Sequence, residues 1–352
     1  MGCSLIAQLL LICKLSNRVT IWTESALCDM LLEEDKAVGV ELRKGDERWT
    51  VRSQAVFLAV AGFARNQGMR EEYLQKPASA DWTLAHSSGD DGNVLKMMVS
   101  KRAKTSLLQE AWGVPVIQDP LDGRKIPGIF ELSKPHCILV NQCGRRFCSE
   151  ARPYGDYNLD ADAKAPSWLI LDSVYLRKYT LGSLSAQESK IEMAVQRGYL
   201  TRSSTLSGLA IQLRIEPDNL TRTLDEWNEM CEGGKDIEFG KGGDEYQRFI
   251  GDESMKPNPN MGTISVPPFY AIPVFPGDAG TKGGLLTDEK GRVLHENGGV
   301  IDGLYASGNV TASPFGKSSI GAGITIGPAM TFAYTAVKHL CEKLENGITV
   351  GN

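Results

Sequence analysis

Residues 303–334 read GLYASGNVTASPFGKSSIGAGITIGPAMTFAY. Six glycines fall here, yet Leu304, Ile320, Ile324 and Ile326 are interleaved with them, which a flexible linker would not carry. Glycine at this density in an apolar setting signals close approach of backbone to something. Leu304–Ala306 reads as a short strand ended by Gly308-Asn309, and a second glycine turn at 321–323 opens an apolar helix pattern over Pro328–Leu344. Met330, Phe332, Ala333, Ala336, Val337, Leu340 and Leu344 are expected on its buried side. Unpaired amides and the positive end of the macrodipole at that helix start suit a phosphate or a ring carbonyl of an extended cofactor. A tight strand-to-helix turn, with glycines for packing alone, is the competing reading, and spacing leaves the two open.

Working outward, Arg18 to Phe63 is rich in strand patterns. VTIWT predicts a strand over Val19–Trp22, and CDMLLEEDKAVGVELRKGDERWTVRS alternates apolar and polar residues with turns at Glu34-Asp35-Lys36 and Gly45-Asp46. This is a small antiparallel meander. Ala55 to Val60 is continuously apolar and ends at Gly62, the pattern of a strand buried on both faces of a parallel sheet. Residues 64–275 differ, with many prolines, loops and mixed helices such as Asp218–Cys231. The expected division is therefore one α/β domain made of 1–63 and 276–352, with an inserted substrate domain of α+β character over 64–275.

The chain has 352 residues, 42% hydrophobic and 23% charged, enough for two domains with a sizeable core. Its net charge of −5 and interspersed charges argue against nucleic acid as a partner. The opening CSLIAQLLLICK is too short to span a bilayer and lacks a basic leader or cleavage site, so a buried helix is expected there and no membrane span. Cys137, Cys143 and Cys148 cluster beside His136, but without a CxxC knuckle; no metal is expected. Free thiols in a reducing, cytoplasmic compartment are the better reading.

Several long stretches resemble one family. PPFYAIPVFPGDAGTKGGLLTDEKGRVL (267–294), GLYASGN, GAGITIGPAMTFAY, GRRFCSEARPYGDY (144–157), APSWLILD (165–172), RGYLTRSSTLSGLAIQL (197–213) and FGKGGDEYQRFIGD (239–252) are similar to 3-ketosteroid Δ1-dehydrogenases. These belong to the wider FAD-dependent family that includes the fumarate reductase flavoproteins. The resemblance implies an incomplete Rossmann-like FAD-binding domain with a capping insert, and desaturation of a steroid-like or terpenoid ketone next to its carbonyl. Carried onto this chain, Gly308 and Asn309 would lie by the ribityl and phosphate part of FAD. Gly323, Ile324, Thr325 and Ile326 would offer amides to the pyrimidine end. Ala61 and Gly62 would meet the cofactor after the meander, and Gly283 and Gly284 would pass near the flavin face. Tyr154 matches the base that takes the proton beside the carbonyl. Gly323 N–H and the residue at Ser319 match the donors to the carbonyl oxygen.

Three departures matter. Nothing matches the strand-GxGxxG-helix that binds the ADP part of FAD in this family. Ser319 stands where the family has tyrosine; its hydroxyl is shorter and far less acidic than a phenol of pKa about 10. Ala61 replaces a preferred glycine. These leave open a cofactor-free isomerase, a polycycle-binding descendant and a truncated inactive fragment. A fumarate-reductase-like activity on dicarboxylates is disfavoured, because no histidine neighbours TKGG. The electron acceptor and oligomeric state have no sequence signal.

Overall fold

The chain opens with helix Gly2–Ser16, but the expected burial and the following strand are absent. Leu10, Ile12 and Leu15 are 50%, 63% and 71% exposed, and residues 18–22 form no strand. Apolar residues surround this helix rather than forming one stripe, so no single face can seat on a core. Trp22 instead packs edge-on to Trp49, ring centroids 6.3 Å apart. The computed structural model, an α/β arrangement of two six-stranded sheets, describes residues 2–86, 89–152 and 166–348.

Strands β1 (Ala26–Glu33), β2 (Lys36–Lys44) and β3 (Glu47–Arg52) form an antiparallel meander. Glu34 and Gly45 take left-handed backbone at its two turns, φ 55° and 58°. Strand β4 (Val56–Leu58) is the centre of the apolar run at 55–60. Only Leu58 of its residues is fully buried, so one face lacks the cover that a doubly wound sheet would give. Helices Gln67–Tyr73 and Asn93–Ser100 then place Met69, Leu95 and Met98 against Met30, Leu58, Leu304 and Val310. The segment after residue 63 thus packs on the first sheet, although its loop-rich, proline-marked sequence reads as part of the insert.

Strand β5 (Thr105–Ser106) is followed by the second sheet: β6 (Ala111–Gln118), β7 (Lys125–Pro127), β8 (Cys137–Val140), β9 (Ser167–Asp172), β10 (Thr201–Ser203) and β11 (Phe269–Thr281). Its order is β7-β6-β11-β9-β8, with β10 also on β11, and every pairing is antiparallel. Successive side chains alternate between faces. Cys137, Leu139, Leu169 and Leu171 meet Tyr175 and Leu176 on one side. Ile138, Val140 and Ile170 meet Leu213, Leu220, Leu224 and Trp227 on the other. Cover on both faces explains why CILV and WLIL are unbroken apolar runs in an antiparallel sheet. Trp227 comes from helix Pro217–Gly233, opened by proline and closed by left-handed Gly234 at φ 64°. Strand β11 crosses residues 275 and 276 without a break, held by β6 through Phe275↔Val116 and Pro276↔Pro115. The boundary expected there falls inside a strand.

Strand β12 (Gly284–Leu285) pairs with β5, and β13 (Arg292–Leu294) and β14 (Val300–Ala306) complete the first sheet. Leu304, Tyr305 and Ala306 of β14 lie parallel to Val56, Phe57 and Leu58 of β4, so the two ends of the chain share one sheet. Helix Ile326–Ile348 follows. Ala336 is buried and Phe332, Ala333 and Leu340 are partly so, but Met330 and Val337, expected on the buried side, are 46% and 55% exposed. Apolar residues occupy two faces of this helix and only one meets the sheet.

Beside the second sheet Arg146 forks onto Glu150 at 3.0 and 3.1 Å and reaches Asp236 at 2.8 Å. Lys241 lies 3.5 Å from Glu150 and donates to the Cys137 carbonyl at 2.9 Å. Burial would raise the Asp236 carboxyl, but the Arg146 hydrogen bond and charge outweigh it and hold the group at about 2. Burial pushes the Cys137 thiol up to about 12. The eight cysteines are thiols rather than disulfides. Among the described residues no group of three His, Cys, Asp or Glu could hold a metal. In the native protein at pH 8, exposed Cys3, Cys143 and Cys341 should react with Ellman's reagent within minutes, and Cys137 only on unfolding. Mass mapping that finds Cys137 labelled at the rate of Cys143 would contradict this.

Candidate active site

Parallel strands β4 and β14 end on the same side, and ligands of open α/β sheets bind beyond such carboxyl ends. There lies a cavity of about 470 Å³, with Trp112, Lys282, Gly308, Asn309, Ile324 and Thr325 in its walls. Ser307 Oγ donates to the Ala329 carbonyl at 3.0 Å, which ties the end of β14 to the C-terminal helix. Gly308 then turns with φ 81°, a conformation costly for any side chain with a Cβ. Thr311 closes the turn, its amide and hydroxyl donating to the Gly308 carbonyl at 2.9 and 2.7 Å.

Gly62 is packed into the same junction. A Cβ there would stand 1.9 Å from Thr281 Oγ1 and 3.0 Å from the Asn309 carbonyl. Ala61, just before it, is partly buried. The second glycine turn is different: a Cβ on Gly321, Gly323 or Gly327 would meet nothing within 4 Å. That backbone is open, and it leads directly into the first turn of a 23-residue helix. Gly323 and Ile326 lie along this open rim. Gly283 and Gly284 face inward instead, where a Cβ would lie 2.2 Å from the Leu107 carbonyl and 2.1 Å from that of Val310. They permit backbone to approach backbone in the wall behind the cavity. Tyr154 lies outside the described residues.

Lys282 is 3% exposed. Its ammonium donates to the Lys317 carbonyl at 2.7 Å and to Ser319 Oγ at 2.9 Å, and sits 4.8 Å from the Trp112 ring centroid. The Trp112 Nε1–H is buried and has no acceptor among the described residues. A buried donor without a partner, in a cavity wall, is a place where a ligand acceptor fits. Behind the wall Asp278 pairs with Arg70 at 2.7 Å and accepts from Thr83 Oγ1 at 2.6 Å and from the Gly280 amide at 2.9 Å. This buried lock sets the approach of the chain to Lys282. Sequence reasoning passed over Trp112, Lys282, Asp278 and Arg70; the only signal was the pair of polar residues inside PGDAGTKGG.

The FAD binding domain family matches residues 5–326. The 3-oxosteroid 1-dehydrogenase of Mycobacterium tuberculosis is 34% identical over 342 residues, covering 92% of this chain and 60% of that protein. The 4-oxocyclohexanecarboxylate 2-dehydrogenase of Sinomonas cyclohexanicum is 33% identical, covering 86% of this chain and 53% of the relative. The 3-ketosteroid delta1-dehydrogenase of Sterolibacterium denitrificans, solved with 1,4-androstadiene-3,17-dione, superposes with a TM-score of 0.89 at 35% identity, over 94% of this chain and 61% of its own. The open form of a flavocytochrome c3 fumarate reductase, at TM-score 0.61 and 21% identity, shares the fold. The chain belongs to the FAD binding domain family, and spans about three fifths of the length of the 3-oxosteroid dehydrogenases it matches.

FAD is the cofactor of this family. Trp112, the turn at Gly308 and Asn309, and Ile324 and Thr325 just after the second glycine turn line one cavity. No helix among the described residues is long and apolar enough to cross a membrane.

Proposed function

We propose that the chain carries the flavin and ketone sites of an FAD-dependent dehydrogenase that desaturates a steroid-like or terpenoid ketone next to its carbonyl. The observation behind this reading is one cavity walled by Trp112, whose N–H has no acceptor among the described residues, by Lys282, which holds Ser319, and by Ile324 and Thr325 just after the glycine turn. The relatives named for 3-oxosteroid and 4-oxocyclohexanecarboxylate dehydrogenation share a cyclic ketone, which supports the substrate class. The sheets suggest two units, a cofactor side on the first sheet and a substrate side on the second. A reducing, cytoplasmic setting fits the eight thiols.

Gly308 and Asn309 would hold the ribityl side of FAD, with Ala61 and Gly62 packed behind them. The amides of Gly323, Ile324, Thr325 and Ile326 would face the pyrimidine carbonyls, where the helix start favours negative charge. When bound, FAD supplies the acceptor for a hydride from the carbon β to the carbonyl. Tyr154 would take the proton from the intervening α-carbon. Removing that proton makes an enolate, whose oxygen needs donors already in place. The Ser319 hydroxyl and the Gly323 N–H would be those donors.

Purified protein supplied with FAD should be yellow, and anaerobic addition of a 3-ketosteroid should bleach the flavin bands. A protein that takes up no FAD, or keeps its flavin oxidised with every cyclic ketone tried, would sink this function.

A further inference from the structure

We infer that Lys282 is a positioning residue for the ketone oxygen, acting through Ser319 and replacing by charge what the serine lacks in acidity. The inference rests on the ketone-desaturation reading above. Its starting point is a direct contact: the Lys282 ammonium donates to Ser319 Oγ at 2.9 Å. An ammonium has three donors and no acceptor. The Ser319 proton therefore cannot point at Lys282 and remains to be given elsewhere. With one of its lone pairs already engaged by a cation, the hydroxyl is polarised into a better donor.

The position of the charge follows from packing. Lys282 is 3% exposed, and its second hydrogen bond, 2.7 Å to the Lys317 carbonyl, holds the same loop two residues earlier. Trp112 supplies a ring face 4.8 Å from the ammonium, a contact that favours the charged form. The next residue, Gly283, is fitted so closely against the Leu107 carbonyl that a Cβ would stand 2.2 Å from it, so the lysine backbone has little room to shift. The result is a fixed cation behind a hydroxyl, one bond length of hydrogen bonding away from where a ketone oxygen would lie. Charge that develops on that oxygen would be stabilised by Ser319 directly and by Lys282 at slightly longer range. A phenol in the serine's place would answer the same need through its own acidity. The lysine keeps its proton throughout; no covalent step passes through it.

Equilenin, a steroid whose naphthol and naphtholate forms differ in absorbance and fluorescence, is an analogue of the enolate and reads this charge at equilibrium. The native chain should bind it largely as naphtholate at neutral pH. Lys282→Met should weaken that binding about tenfold and shift the bound steroid to neutral naphthol, while affinity for a neutral 3-ketosteroid changes by no more than about twofold. Lys282→Arg, which keeps the charge, should restore most of the naphtholate. In turnover, Lys282→Met should lower kcat about thirtyfold with KM nearly unchanged, and should cost less than about threefold when added to Ser319→Ala. Circular dichroism and thermal melting of each variant separate these effects from misfolding, and Lys282→Arg gives a second reading if the methionine variant does not fold. An unchanged ionised fraction in folded Lys282→Met, or fully multiplicative effects with Ser319→Ala, overturns the inference alone. A Lys282-dependent naphtholate signal in a protein with no turnover would uphold the inference and remove the redox function. A folded parent that binds neither equilenin nor any ketone overturns both.

Discussion

Arg146→Met should lower the free energy of unfolding by about 3–5 kcal/mol at pH 7, the usual consequence of removing one partner from a buried ion pair. Its side chain is 1% exposed and touches two carboxylates, Glu150 and Asp236, that are themselves shut away from water. Methionine fills much of the space but leaves both anions without their guanidinium. Lys241, 3.5 Å from Glu150, offers that group partial compensation. Among the described residues Asp236 pairs with no second cation, and it is expected to bear most of the loss.

The dependence on pH has a definite sign. Burial alone would raise both carboxyl groups; Arg146 and, for Glu150, Lys241 bring them below their ordinary values, Asp236 to about 2. A depressed carboxyl contributes stability that is fully present above its unfolded pKa and lost as pH falls through the folded one. The native protein should therefore lose this contribution between about pH 4.5 and 2. In the variant, burial is no longer opposed by Arg146, so protonation relieves it instead. The gap between the two proteins should narrow on acidification from pH 7 to pH 4. Urea denaturation at both values measures it, and an equal gap would mean that Arg146 stabilises by packing rather than charge.

Tyr154→Phe should reduce turnover of a cyclic ketone on the order of a hundredfold or more, with ligand affinity nearly intact, as expected for loss of a positioned general base. The substitution removes one oxygen and keeps the ring. The segment carrying Tyr154 begins just after Glu150, whose carboxylate accepts from the Leu139 amide at 3.0 Å and from Arg146. The ion-pair network thus ties Glu150 to strand β8. Rapid-mixing measurement of flavin bleaching separates the chemical step from product release. An unaltered bleaching rate in Tyr154→Phe would assign the proton to another group.

Much of the architecture is visible in local patterns. Apolar runs at 55–60 and 304–306, each ending at glycine, mark strands of one sheet, and β4 and β14 pair there in parallel. The meander turns announce themselves through Glu34-Asp35 and Gly45-Asp46 because a tight turn requires particular backbone angles, and few residues supply them. The helix at Pro217–Gly233 is legible for the same reason, with proline at its start and Gly234 at its end. Resemblance carried the flavin and the ketone, because the matching stretches are long and lie at both ends of the chain.

Other features depend on where distant segments meet. Met330 and Val337 look like core residues, yet whether an apolar face is buried depends on what packs against it, and the described residues leave these two about half exposed. Arg146 gives no hint of Asp236, ninety positions away, nor Arg70 of Asp278, because ion pairing leaves no periodicity in a sequence. Gly283 and Gly284 stand out as a glycine pair, but the backbone each admits, that of Leu107 and of Val310, is visible only in the fold. Ser319 shows as a substitution in a family motif; only the folding of β11 against the loop after β14 reveals the lysine behind it. Local backbone preference and apolar patterning are properties of short segments, and one chain suffices to read them. The charge around a site is a sum over residues brought together by packing, and it exists only in the folded molecule.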